Sequence, residues 1–173
     1  MSEGRTQAVE VPVRLQAELL SKVIAYDRNF VARARGRASV LVLVNPGDAE
    51  SERVGEQIRA ELAVLKELGG LPHAEETVRF STNHALLDLC KSRSASVLYV
   101  SVGLLDEMSG IAEALANLSI LSVAVAPAYV PRRAVLGFDA ESGRPKLVVH
   151  LDQAHRQKVA FKPEVLKLAR VIE

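Results

Sequence analysis

The run Ala38-Ser-Val-Leu-Val-Leu-Val44, followed by Asn45-Pro-Gly-Asp48, decides the fold. It is a continuous apolar stretch of β-branched and Leu residues with no polar alternation. That is the composition of a strand buried on both faces, which requires helices on either side of its sheet. Asn45-Pro-Gly-Asp48 is a turn. Beyond it Ser51 is read as the N-cap of a helix running to about Leu68, with Val54, Ile58, Leu62 and Leu65 at helical spacing. Gly69-Gly70 ends this helix and Pro72 prevents its continuation.

The same unit recurs downstream. Glu75–Phe80 is a weaker strand, and Ser81 or Thr82 caps a helix carrying Leu86, Leu87 and Cys90 that fades at Ser92. Ala95–Val102 is a strongly apolar strand, Leu104 or Asp106 opens a helix through Ile111, Leu115 and Leu118, and Ile120–Val125 is the fourth strand. Strands alternating with helices imply βαβ crossovers and a mainly parallel sheet. Upstream, Val13 to about Val31 reads as one helix with Leu15, Leu19, Val23 and Phe30 on its apolar stripe, stopped by Gly36. Downstream, Ala134–Phe138 and Lys146–Leu151 are joined by a loop too short for a crossover helix, which predicts an antiparallel hairpin at the sheet edge. Asp152 caps a short helix through Lys158, and Pro163 starts a last helix that carries its stripe to the end of the chain. The expected fold is therefore a single-domain α/β three-layer sandwich: a mainly parallel sheet, an antiparallel C-terminal edge hairpin, and flanking N- and C-terminal helices. Residues 1–12 read as a flexible tail and 13–173 as the domain.

Length agrees, since 173 residues match one domain of about 150. Apolar residues make up 49% of the chain but aromatics only 4%, with no Trp, so the core must be aliphatic. Lys plus Arg is 22 and Asp plus Glu 21, a balance that excludes a dedicated polyanion binder. The balance hides a pattern. Residues 1–37 carry net +3, residues 38–131 carry −6 and residues 132–173 carry +4. The expectation is that the basic ends pack near each other and onto an acidic middle. Arg33, Arg35 and Arg37 form the densest basic cluster, without interleaved aromatics to stack on bases, so nucleic acid is not an expected partner. No segment approaches the roughly 18 apolar residues of a membrane span. The opening Met1–Gln7 has no charged leader followed by an apolar stretch, so it does not read as a signal peptide.

Enzymatic readings of an α/β sheet fail one by one. A nucleotide site needs a Gly-rich turn after the first strand, but this turn holds one glycine and acidic residues that repel phosphate. A phosphoacceptor site needs an aspartate ending the third strand, where Val100-Ser101-Val102 stands instead. No Gly-x-Ser-x-Gly supports a nucleophile at Ser101, which reads as a turn or cap residue. Cys90 lies on an apolar stripe and reads as a small buried hydrophobe; as the chain's one cysteine it forms no internal disulfide. His73, His84, His150 and His155 share no metal-ligand spacing and read as solvated surface side chains. The expectation is no catalytic residue, no metal and no cofactor.

Two stretches near the C-terminus carry a resemblance. Arg144-Pro-Lys-Leu-Val-Val-His-Leu-Asp-Gln-Ala-His-Arg-Gln157 and Phe161-Lys-Pro-Glu-Val-Leu-Lys-Leu-Ala-Arg-Val-Ile172 resemble the closing signature of the YfiR-like family: a strand ending "INL" or "VNL", a short helix with "AAR", then "SS-x-LLKLA-x-V". The helix Leu15–Phe30, the strand Val40–Val44 and the loop Pro127–Pro131 before Ala134–Phe138 are similar to the family's corresponding parts, so the likeness covers roughly 13–173. The family's Asn in "INL" is His150 here, and its "SS" is Lys162-Pro163. The resemblance implies a non-catalytic regulator in the periplasm. Such a protein binds a membrane sensor, typically a diguanylate cyclase, lowers cyclic di-GMP output, does not itself insert in the membrane, and leaves room for a homodimer. Tyr129, Val130, Pro131, Arg132 and Arg133 are the expected partner interface, because Tyr and Arg are enriched at binding hot spots. The alternative is a small-molecule-binding α/β domain related to solute-binding proteins, using the strand C-terminal loops 45–48, 101–105 and 127–132.

Overall fold

The computed structural model describes residues 8–173. Elements run α1 (Val13–Val23), a 3-10 turn (Ile24–Tyr26), α2 (Phe30–Ala34), β1 (Ala38–Val44), α3 (Ala49–Ala63), β2 (His73–Arg79) and α4 (Asn83–Ser92). Then follow β3 (Val97–Val100), α5 (Met108–Leu115), β4 (Leu121–Ala124), a 3-10 turn (Pro127–Tyr129), β5 (Leu136–Glu141), β6 (Arg144–His150), α6 (Leu151–Arg156), α7 (Pro163–Leu168) and β7 (Arg170–Ile172). The sheet order is β2-β1-β3-β4-β5-β6-β7. Every neighbouring pair is parallel except β5 and β6, which pair antiparallel from Leu136 opposite Val149 to Glu141 opposite Arg144.

The sequence-based architecture holds: a single α/β domain with a mostly parallel sheet, one antiparallel pair and flanking helices. The central strands are aliphatic and inaccessible on both faces, with Leu41, Val42, Leu43, Val97, Leu98, Leu121 and Val123 fully buried. α3 lies unusually close to β1, because Gly55 faces Val44 where a Cβ would collide with the Val44 side chain. No helix among the described residues is long and apolar enough to cross a membrane.

Five local readings change. The N-terminal helix is not continuous to Val31, because Asp27 adopts an extended backbone (φ −84°, ψ 115°) and splits it into α1 and α2. Its carboxylate accepts from Asn29 N–H at 3.0 Å and Ala160 N–H at 3.0 Å, and pairs with Arg33 at 2.6 Å. The hairpin is not the sheet edge: Arg170–Ile172 leave helical geometry and pair parallel with Val148–His150. Asp48, not Ser51, caps α3, accepting from Ser51 N–H at 3.1 Å, and α3 stops at Ala63, before Leu68. His150, not Asp152, caps α6, its Nδ1 accepting from Gln153 N–H at 3.2 Å. Of the tail expected over 1–12, residues 1–7 lie outside the described residues; Val11 is 2% exposed and belongs to the core.

The Asp27–Arg33 pair is out of solvent, with the two side chains 0% and 2% exposed. Removing one partner leaves an uncompensated buried charge, so Asp27→Ala is expected to destabilise the fold by about 3–5 kcal/mol in urea titrations. Arg14→Ala, which breaks an exposed Arg14–Glu18 pair, is expected to change stability by less than about 1 kcal/mol.

Candidate functional site

Open α/β sheets take ligands where the strand order reverses, at the C-terminal ends of the central strands. Here that place lies between β1 and β3, whose crossovers lead to opposite sides of the sheet. Its polar groups are bonded to one another. Asn45 donates from its backbone N–H to Ser51 Oγ (2.8 Å) and from its side chain to the Gly103 carbonyl (2.9 Å). Ser101 donates its hydroxyl to the Ser51 carbonyl (2.7 Å), with both serines fully buried. Gly103 sits at φ +87°, and a Cβ there would come within 2.5 Å of Asp48 Oδ2. On the far side Tyr129 Oη accepts from Leu104 N–H at 3.0 Å. These contacts knit the β1–α3, β3–α5 and β4–β5 loops together.

The N-terminal segment closes the same end. Gln16 is fully buried and donates to the carbonyls of Val11 and Val125, both at 2.9 Å, while Tyr99 donates its phenol to Gln16 Oε1 at 2.6 Å. Burial pushes the Tyr99 phenol well above the ordinary tyrosine range. A cleft of about 520 Å³ remains beside this end, between Val9, Pro12, Asp48, Arg53, Gln57 and Gly103.

The five residues expected at a partner interface divide. Tyr129 and Val130 are 0% exposed, which corrects their expected place on the surface. The 3-10 turn presses them onto β5, where Gly137 makes room: a Cβ on Gly137 would come within 2.6 Å of Val130 Cγ2. Burial raises the Tyr129 phenol to about 12, against the opposing Leu104 hydrogen bond. Pro131 and Arg132 are exposed and Arg133 is half-buried. Arg133 bonds Glu113 at 3.2 Å, and Arg156 approaches the same carboxylate at 3.9 Å. Pro131, Arg132 and Arg133 thus remain on the surface. The signal that could have separated the two groups was Gly137, a glycine inside a strand, which often marks close approach of another segment.

The other residues singled out from sequence fall as follows. Cys90 is 4% exposed and burial raises its thiol to about 11, so it is protonated at neutral pH. His84 is exposed, 3.4 Å from Asp88. His73 and His150 are not solvated as expected. The His73 side chain lies inward on β2, bonded to Glu75 and to the Leu65 carbonyl. His150 is 8% exposed, and its capping role explains its place in the signature: Asn, the family's residue there, is equally able to accept from a helix N-terminal N–H. Among the described residues, no three His, Cys, Asp or Glu side chains stand close enough to share a metal ion.

Burial holds the His150 imidazole below its ordinary 6.5, helped by Arg133 and Arg156 and opposed by Asp152. The unfolded chain therefore takes up this proton first, and the stability that neutral His150 contributes is lost as pH falls below about 6.5. His150→Asn is expected to keep the cap and to lose less stability than the parent between pH 7.5 and pH 5 in chemical denaturation. Tyr129→Phe removes the acceptor of a buried N–H and is expected to cost about 1–3 kcal/mol, measured the same way.

Comparison with known proteins places this geometry. No curated protein matches the chain in sequence. Among solved structures it is similar to the ABC domain in complex with L-Trp from Streptococcus pneumonia, at 13% identity and TM-score 0.67, covering 93% of this chain and 62% of that one. A conserved domain protein from Vibrio cholerae O1 biovar El Tor aligns at 16% identity and TM-score 0.60, over 94% of this chain and 60% of that one. The ligand-free, open form of a substrate-binding protein with adhesive properties from Clostridium difficile aligns at 14% identity and TM-score 0.59, over 84% and 57%. These likenesses establish an α/β fold shared with those structures, and the chain spans about 60% of the length of the structures it matches. The YfiR/HmsC-like family model matches residues 14–170, nearly the whole chain. The chain therefore belongs to the YfiR/HmsC-like family.

Proposed function

We propose that this chain is a non-catalytic regulatory protein of cyclic di-GMP signalling. It binds a protein partner, by the family's example the sensor domain of a membrane diguanylate cyclase on the periplasmic side, and shifts that partner's activity. The observation that carries this reading is membership of the YfiR/HmsC-like family over residues 14–170. The geometry gives it support. The polar groups at the strand C-terminal end are spent on tying loops together. The surface loop beside that end presents Pro131 and Arg132, with Arg133 and Arg156 gathered around Glu113. A regulator of this kind works by differential affinity: it stabilises one state of its partner, and any signal acts by changing that affinity.

The test is co-expression with a membrane diguanylate cyclase of a YfiR-type system and measurement of cyclic di-GMP. The expected result is a fall in cyclic di-GMP relative to the cyclase alone, with Arg132→Glu/Arg133→Glu restoring it at least in part at equal protein level. Cyclic di-GMP unchanged by the parent chain overturns the proposal. A second reading, a small-molecule-binding domain related to solute-binding proteins, draws on the fold shared with a domain in complex with L-Trp over 93% of this chain and with a substrate-binding protein over 84%. A melting-temperature rise with free amino acids, together with no effect on the cyclase, would favour it.

A further inference from the structure

A cavity of about 850 Å³ lies at the opposite end of the sheet, under the N-terminal ends of β3 and β4. A cavity of that size falls within the span of small-molecule sites, about 300–1,000 Å³. Its floor is apolar: Cys90 from α4, Ala95 ahead of β3, Ile120 ahead of β4, and Val159 after α6, all 8% exposed or less. Its rim is basic. Arg35, Lys91, His155 and Lys158 are exposed around it, and no Asp or Glu is among the lining residues. Arg33, also on the wall, is committed to Asp27, to Ser119 Oγ and to the Lys158 carbonyl. No hydrogen bond or ion pair occupies the side chains of Arg35, Lys91, His155 or Lys158 among the described residues.

The helix dipole accounts for some of this charge, since α2, α4 and α6 all end here and cations are favoured at helix C-termini. It does not account for the backbone. Arg35 (φ 54°), Ser94 (φ 48°) and Lys158 (φ 58°) all line this cavity in the left-handed conformation. At such helix ends glycine is the unstrained choice. Two of these three positions carry cations instead, both aligned on one cavity, and strained residues cluster where a site is built.

We infer that this groove is a binding site for a small organic anion, a carboxylate, sulfonate or phosphate carried on an apolar body. The apolar part lies on Cys90, Ala95, Ile120 and Val159, and the charge faces Arg35, Lys91 and Lys158. The inference is independent of the partner proposed above, and its test needs no cyclase.

The test titrates the full chain with 2-naphthoate, with its neutral isostere 2-naphthamide and with acetate, by calorimetry and by NMR. The expected result is saturable 1:1 binding of 2-naphthoate that weakens as salt rises. The amide, which lacks the charge, and acetate, which lacks the apolar body, are expected to bind at least roughly tenfold more weakly. Arg35→Gly/Lys158→Gly removes two cations and relieves both left-handed backbones, so its melting temperature is expected to equal or exceed the parent's while 2-naphthoate binding falls at least roughly tenfold. Lys91→Glu is expected to lower that affinity on its own. The inference is overturned if 2-naphthoate does not bind saturably, if the amide or acetate binds as tightly, or if the folded Arg35→Gly/Lys158→Gly protein binds 2-naphthoate unchanged.

Discussion

Burial of β1, β3 and β4 on both faces is the constraint on which the rest of the structure depends. With Leu41, Val42, Leu43, Val97, Leu98, Leu121 and Val123 inaccessible to solvent, each face must be covered by helices, and each backbone group at a strand end must find a partner inside the protein. Buried amide side chains meet that demand. Gln16 satisfies the carbonyls of Val11 and Val125. At the other end Gln157 donates to the Ile120 carbonyl and to Ser122 Oγ, and Gln153 donates to the Ala112 carbonyl. In this aromatic-poor core, two of the four largest fully buried side chains are tyrosines, and both phenols are hydrogen-bonded, Tyr99 to Gln16 and Tyr129 to the Leu104 amide.

Asp27 carries the second structural duty. It breaks the N-terminal helix, neutralises Arg33 and accepts from Ala160, so one buried carboxylate joins the two ends of the chain. Backbone bonds follow the same seam, from Arg28 N–H to the Ala160 carbonyl and from Lys162 N–H to the Tyr26 carbonyl. The basic ends read from charge arithmetic therefore meet in space. Their cations divide between contacts with the acidic middle, such as Arg133 with Glu113, and the rim of the groove, where Arg35 comes from one end and Lys158 from the other. A nearly neutral chain thereby presents a locally basic cavity.

Much of the fold was legible because hydrophobic runs, turns and glycines act locally. Strands β1 to β6 were found within a few residues, and the parallel-then-antiparallel change followed from connection length. What was missed depended on partners distant in sequence. Arg170-Val-Ile172 continues a helical stripe by composition, and only the free edge of β6 draws it into extended pairing. Tyr129 beside two arginines resembles a hot spot, but the Leu104 amide and the space over Gly137 draw it inside. The basic groove was invisible because its lining comes from four separate stretches, and charge counts do not report which cations meet.

The sequence by itself determined the single α/β domain, the aliphatic doubly buried sheet and the family signature, because each rests on local pattern or on the order of patterns along the chain. The tertiary structure decided which polar residues are spent holding loops together, which of the five loop residues face solvent, and which cations gather around a cavity. Those outcomes depend on distances between residues far apart in the chain, and such distances exist only once the sheet has brought the strand ends and helix termini together.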